Sequence, residues 1–333
     1  MALTPPIAHY RGGVSPSTRS RLSGGSILAN LIGQIVIIGT GGAVRLTGSG
    51  LGCSTWPECE PGNFTPVWHE ATSIQPFVEF GNRTVSAVLV VIALAVAVLV
   101  WTHRPSAGPA RSDAFRRLGL VPLIGVLIQA VIGGVTVRAN LHPAIVGSHF
   151  LISAALVWVS TLLLLRWREG DGAPASVVGP RLRALGTVIA VLAVVVVVLG
   201  VLVTGSGPHS GDSEVGYRFA VDPYLTAKVH SVGVWLFVAS VIALLVGLHR
   251  TLDDGEGHVV RARRRTWVLL AVTFAQGLVG YVQFFTGLPA ALVGVHLLGA
   301  AALVVTTTAA VLGLRVRRSV TADAPLDVSA ATP

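Results

Sequence analysis

Apolar residues gather into eight runs along this chain, near residues 26–44, 84–101, 118–137, 143–165, 184–204, 226–248, 266–286 and 290–313. About 30 Å of hydrocarbon takes roughly 20 apolar residues to cross as a helix, so each run predicts one transmembrane span. The loop from Glu169 to Pro180, built from Gly, Asp, Pro and Ser, separates the first four spans from the last four. The expected organisation is an N-terminal segment over 1–25, a four-helix half over 26–168, a linker over 169–182, a second four-helix half over 183–314 and a tail over 315–333. The segments before Ser26 and after Arg318 are polar and rich in Pro with Ser or Ala, which predicts disorder.

The two halves repeat one another. Gln129, Gly133, His149, Ala154, Ala155 and Leu156 recur as Gln276, Gly280, His296, Ala301, Ala302 and Leu303 at a constant offset of 147. VRLTGSG at 44–50 is echoed by VLVTGSG at 201–207, each at the end of the first span of its half. An even number of spans per half gives both copies the same orientation. The expected fold class is therefore an all-α membrane protein, with eight transmembrane helices forming two parallel four-helix bundles related by a pseudo-twofold axis along the membrane normal.

Composition agrees with that reading, since 52% hydrophobic and 12% charged residues are too apolar a mixture for a soluble domain of this length. The formal charge of +9 reports topology. Of 24 Lys and Arg, 19 fall in the N-terminal segment, the loops after spans two, four and six, and the tail, while Arg45, Arg83, Arg138, Arg218 and Lys228 lie on the opposite side. This positive-inside bias predicts that both termini are cytoplasmic. It implies contact with anionic membrane lipid and no nucleic-acid partner. The first run is longer than a signal-peptide core and leads into Arg45 without a clear cleavage site, so it is read as a retained helix.

Ten histidines carry the candidate chemistry. His9 and His258 fall in cytoplasmic segments, and His103 and His249 at cytoplasmic helix ends, where solvated or interfacial roles are expected. His69, His142 and His209 lie in outer loops. His149, His230 and His296 sit inside apolar runs, where an ionisable group is costly and marks a functional site by default. Their common position within about two turns of the outer end of spans four, six and eight points to one ligand held at one depth. Zinc or di-iron would need intramembrane carboxylates that these runs lack. Haem needs only one or two axial imidazoles and an apolar surround.

Matching His230 back by 148 residues gives Asn82, so the second half offers two facing histidines and the first only His149. Two strong axial ligands suit electron transfer, whereas an open or weak position suits a bound substrate. Glu79 shares a helix face with Asn82 and reads either as an interfacial partner of Arg83 or as a carboxylate handling protons beside a haem edge. Arg45 and Arg83, with Thr47, Ser49 and the TGSG amides, are candidate partners for haem propionates. Cys53 and Cys59 lie in CSTWPEC on the outer face, which favours a disulfide, serving either as a loop staple or in exchange with a thiol partner.

Together these residues resemble the haem A synthase family, through RLTGSGLGCSTWPEC at 45–59, VEFGNR at 78–83, QAVIGGVTV at 129–137 and the helix-borne His149, His230 and His296. The resemblance covers about Ile27 to Leu314. It implies oxidation of the C8 methyl of haem O to the formyl group of haem A for cytochrome oxidase assembly. It further implies a haem b cofactor on His230 and His296, substrate haem O on His149, Glu79 as the catalytic carboxylate and Cys53 with Cys59 as the family's cysteine pair. Haem O synthase, oxidase assembly factors and an electron-transfer partner are the implied associates, and the bacterial plasma membrane the implied location. The family commonly has His where this chain has Asn82, so Asn82 is expected to be a weak ligand or none, with His69 or His142 as alternatives. Some members carry a second cysteine pair after the fifth span, and GSGPHSGD at 205–212 has none. The competing readings are a non-catalytic haem carrier and a secondary transporter. The latter loses ground because no span is broken at mid-membrane.

Overall fold

The computed structural model describes residues 18–68, 73–103, 111–253 and 255–317. All eight expected spans are helices: α1 (Thr18–Leu46), α2 (Gln75–Trp101), α3 (Asp113–Arg138), α4 (Pro143–Glu169), α5 (Pro180–Ser206), α6 (Pro223–His249), α7 (His258–Phe285) and α8 (Ala290–Leu312). Each is long and apolar enough to cross a membrane. Val91, Val194 and Val232, each 60% exposed or more, turn apolar side chains outward, as expected of helices solvated by lipid. The chain is a multi-pass membrane protein.

Three helices begin well before their apolar runs. α1 starts at Thr18, inside the segment expected to be disordered. α7 starts at His258, where the arginine-rich turns are good helix formers although they are not apolar. α2 starts at Gln75 with a proline in its first turn, a position where the missing N–H costs nothing. The polar turn Glu79 to Arg83 is thereby helical, and the i,i+4 pair between those two residues braces it. His9, and the tail beyond Arg317, lie outside the described residues.

Packing runs α1 on α2, α2 on α3, α3 on α4 and α4 back on α1; it runs likewise from α5 through α6 and α7 to α8 and back to α5. Helices α1 and α4 meet α8, and α4 meets α5. One core cluster gathers Ile189, Phe237, Leu244 and Leu269, and another Ile27, Val96, Phe115 and Val157. In both rings alternate helices stand across from each other, and this positions the site.

The linker is not a loose tether. Its residues Pro174–Ser176 (β1) pair antiparallel with Arg315–Arg317 (β2), tying the segment after α4 to the end of α8. Asp171 accepts hydrogen bonds from the Ser112 N–H at 2.8 Å and from Arg166 at 2.9 Å, and pairs with Arg111 at 3.2 Å. Nearby, His103 is buried edge-on to Trp167, 4.9 Å between centroids, rather than solvated. Burial pushes the Asp171 carboxyl up, but the Ser112 N–H and the Arg166 and Arg111 contacts outweigh it and hold it below the ordinary 3.8. Such a group stabilises the fold above its unfolded pKa and loses that contribution as pH falls through its folded one. Asp171→Asn should therefore cost about 1–2 kcal/mol at neutral pH, by the usual worth of charge-assisted hydrogen bonds. Thermal unfolding in detergent would show it, with the gap from wild type closing below pH 3.8; a gap that persists unchanged in acid would assign the loss to something other than this charge.

Candidate functional site

Helices α2, α4, α6 and α8 all begin at the end of the protein that carries the Trp56 loop. Two turns into each stands one of the four side chains singled out by the repeat: Asn82 and His230 seven residues after Gln75 and Pro223, His149 and His296 six after Pro143 and Ala290. All four line one cavity of about 950 Å³. The packing order places α2 across from α4 and α6 across from α8. His230 on α6 and His296 on α8 line the cavity from helices that stand across from each other in the second ring.

Each of these side chains rests on a glycine of the adjoining helix. A Cβ added at Gly133, Gly200 or Gly280 would meet the Cε1 of His149, His230 or His296 at 3.7, 3.4 and 3.4 Å, and one at Gly41 would meet Asn82 Oδ1 at 3.9 Å. The imidazole Nδ1 atoms of His149 and His296 are buried with no hydrogen-bond partner among the described residues, and that of His230 is likewise buried, close to the Val196 backbone. That edge of each ring is sealed, so Nε2 is the nitrogen left for a ligand.

The repeated glutamine has a local purpose. Gln129 Nε2 donates to the His149 carbonyl at 2.9 Å, and Gln276 Nε2 donates to the His296 carbonyl at 3.0 Å. An N–H bond from a neighbouring helix to the backbone of the histidine itself fixes that residue's height along the bundle. Gln129 also reaches Ser153 Oγ at 2.5 Å, a bond without a counterpart at Ala300.

Glu79 is 5% exposed and lines the same cavity. Its carboxylate accepts the Cys53 N–H at 2.7 Å and an Arg83 N–H at 2.6 Å. Arg83 in turn donates to the carbonyls of Thr55, Pro57 and Glu58. Cys53 and Cys59 are disulfide-bonded, S–S 2.09 Å, and close the loop that these contacts grip. The loop lays Trp56 on Gly134, where a Cβ would lie 2.6 Å from the indole, so the residue beside Gly133 must also be glycine for the ring to enter the cavity wall. Glu79 is therefore both a wall residue and the anchor of the disulfide loop.

The two candidate arginines line the cavity but spend donors on the protein. Arg83 holds the loop as described, and Arg45 donates to the carbonyls of His209 at 2.8 Å and Thr204 at 2.9 Å. Thr47 donates to the Ala43 carbonyl and shares a 2.7 Å contact with Ser49. Lys228, the single lysine of the chain, lines the cavity two residues before His230, its ammonium 4.2 Å from the Tyr224 ring. Sequence reasoning passed over it, though a lone cation two residues from a ligand candidate was visible. His142 caps α4 by accepting the Ala144 N–H at 3.3 Å and does not line the cavity. His209 contacts the Leu288 carbonyl at 2.9 Å. His69 lies outside the described residues.

Among the described residues no group of three or more His, Cys, Asp and Glu could by itself hold a metal ion. Paired imidazoles across an apolar cavity instead suit a metal that brings its own in-plane ligands, as a porphyrin does.

Residues 26–209 match the family COX15-CtaA, cytochrome oxidase assembly protein. The chain is 34% identical over 144 residues to the haem A synthase of Bacillus pumilus, covering 42% of each chain. It is 35% identical over 159 residues to that of an Exiguobacterium species, covering 46% of this chain and 48% of the relative. With the haem A synthase of Staphylococcus epidermidis the identity is 25% over 247 residues, 71% of this chain and 77% of the relative. The first two matches thus span under half the relatives' length. The family match covers more than half of this chain, which belongs to the COX15-CtaA family of cytochrome oxidase assembly proteins.

Proposed function

We propose that this protein is a haem A synthase, oxidising the C8 methyl of haem O to a formyl group. The observation that carries the reading is the cavity that gathers His149, His230, His296 and Glu79, with every imidazole resting on a glycine and sealed at Nδ1. Matches to relatives named haem A synthase support it. A haem b cofactor would be held between His230 and His296, and the substrate haem on His149 with Asn82 opposite. The two packing rings read as four-helix bundles related by a pseudo-twofold axis along the membrane normal, divided at the 169–182 linker. Both termini are cytoplasmic on this reading, and the Trp56 loop faces outward.

Haem b, once bound between two imidazoles, supplies one-electron transfer with little change in ligation. The rest belongs to the chain's own side chains. Gln129 and Gln276 set the height of the histidines. Trp56 and the disulfide loop exclude water from the Glu79 side. The Glu79 carboxylate takes up protons released as the methyl is oxidised, and Arg83 balances its charge. Lys228 and the free donors of Arg45 face propionates at the outer end, where such charge belongs. An electron-transfer partner, haem O synthase and oxidase assembly factors are the proposed associates.

The test is expression in a host that makes haem O but not haem A, followed by chromatography of the extracted haems. Haem A should appear with the wild-type protein. Abundant bound haem with no haem A would instead favour a carrier that delivers haem to an oxidase.

A further inference from the structure

The four ligand positions are alike in depth and in their glycine support, yet one of them cannot serve as the others do. Asn82 stands where α6 has His230. A carboxamide nitrogen has no lone pair to give a metal, since it is conjugated into the carbonyl, and the carbonyl oxygen is only a weak donor. Here that oxygen is already engaged: Thr40 Oγ1 on α1 donates to Asn82 Oδ1 at 2.7 Å. With Oδ1 held, the Nδ2 hydrogens have no partner among the described residues, and the side chain lines the cavity across the ring from His149. Ile37, Ile38, Leu89 and Val90 line the cavity on this side, and Glu79, one turn away on α2, is turned to the Cys53 N–H and to Arg83. His142, the described alternative ligand, is occupied at the α4 cap.

We propose that the Thr40–Asn82 pair makes a distal pocket: the iron held by His149 keeps an open sixth position, and Asn82 Nδ2 donates a hydrogen bond to a small neutral diatomic ligand bound there. This rests on the reading that a haem sits on His149. The second site, closed by His230 and His296, has no such vacancy for an exogenous ligand. Thr40 is a positioning residue, fixing which edge of the amide faces the iron. The ligand class follows from the donor and its surroundings: the Asn82 N–H is uncharged, and the neighbouring Glu79 and Arg83 charges are paired with each other, which favours a neutral, polarisable molecule such as dioxygen or carbon monoxide.

Carbon monoxide is the probe. The purified full-length protein, with its haem measured as the pyridine haemochrome, is reduced and titrated with carbon monoxide, and the bound C–O stretch is recorded in the infrared. One fraction of the haem should bind carbon monoxide, and His149→Ala should remove that fraction. Asn82→His should abolish carbon monoxide binding by closing the position, without lowering total haem. Asn82→Leu should keep binding but raise the C–O stretch, because a donor to the ligand oxygen lowers it. Thr40→Val should broaden or raise the stretch by freeing the amide. A protein that retains haem on His149 but binds no carbon monoxide overturns the inference alone, as does an Asn82→Leu stretch identical to wild type. If His149→Ala removes no haem at all, both this inference and the reading beneath it fall.

Discussion

A His296→Ala protein should purify without the low-spin spectrum of a bis-imidazole haem, and its haem content should fall by about one equivalent per chain. The same loss is expected of His230→Ala, because the two imidazoles line the cavity from α6 and α8 and, among the described residues of the second half, no other histidine lines it. His149→Ala should leave that low-spin signal in place. The contrast separates ligand loss from misfolding, which would remove both signals together. Chemical rescue sharpens it further. The edge of His296 rests on Gly280 and not on a bulky side chain, so His296→Gly opens a slot that free imidazole can fill, and millimolar imidazole should restore the spectrum. An unchanged low-spin spectrum in either alanine variant would remove His230 and His296 from the cofactor.

The second large effect is expected at Glu79. Glu79→Gln keeps the size of the side chain and an oxygen for the Cys53 N–H, but removes the charge that faces Arg83. Haem A formation should fall by about 10²–10⁴-fold, the usual range for loss of a positioned acid or base. The haem at His230 and His296 should be unaffected. Extracted haems would show haem O accumulating with little or no haem A. Glu79→Ala should go further, since it also releases the Cys53 N–H and leaves Arg83 without its carboxylate, and the disulfide loop should become more open to protease or thiol reagents. Wild-type yields of haem A from Glu79→Gln would leave Glu79 with its loop-anchoring task only.

Much of this site could be read from the chain because membranes make polar residues conspicuous. His149, His230 and His296 stood out against apolar neighbours, and the constant offset between Gln129 with His149 and Gln276 with His296 gave the equivalence of their positions. The starts of α1, α2 and α7 were less legible, for the converse reason. Their first turns are polar or basic, so a hydropathy criterion ends the span before the helix ends. What the sequence could not disclose was pairing over distance. That Gln129 serves the backbone of His149 depends on α3 lying against α4. That Gly134 must be glycine depends on an indole arriving from a loop far earlier in the chain. The 169–182 segment read as a tether because its Gly, Pro and Ser composition is that of a linker; its strand pairing and the Asp171 contacts come from partners just before α3, on α4 and just after α8.

The glycine beneath Asn82 has a genetic consequence. Asn and His codons differ only in their first base, and Gly41 leaves the neighbouring backbone without a Cβ to collide with a ring. A cavity with four imidazoles and a cavity with three are thus a single nucleotide apart on the same scaffold.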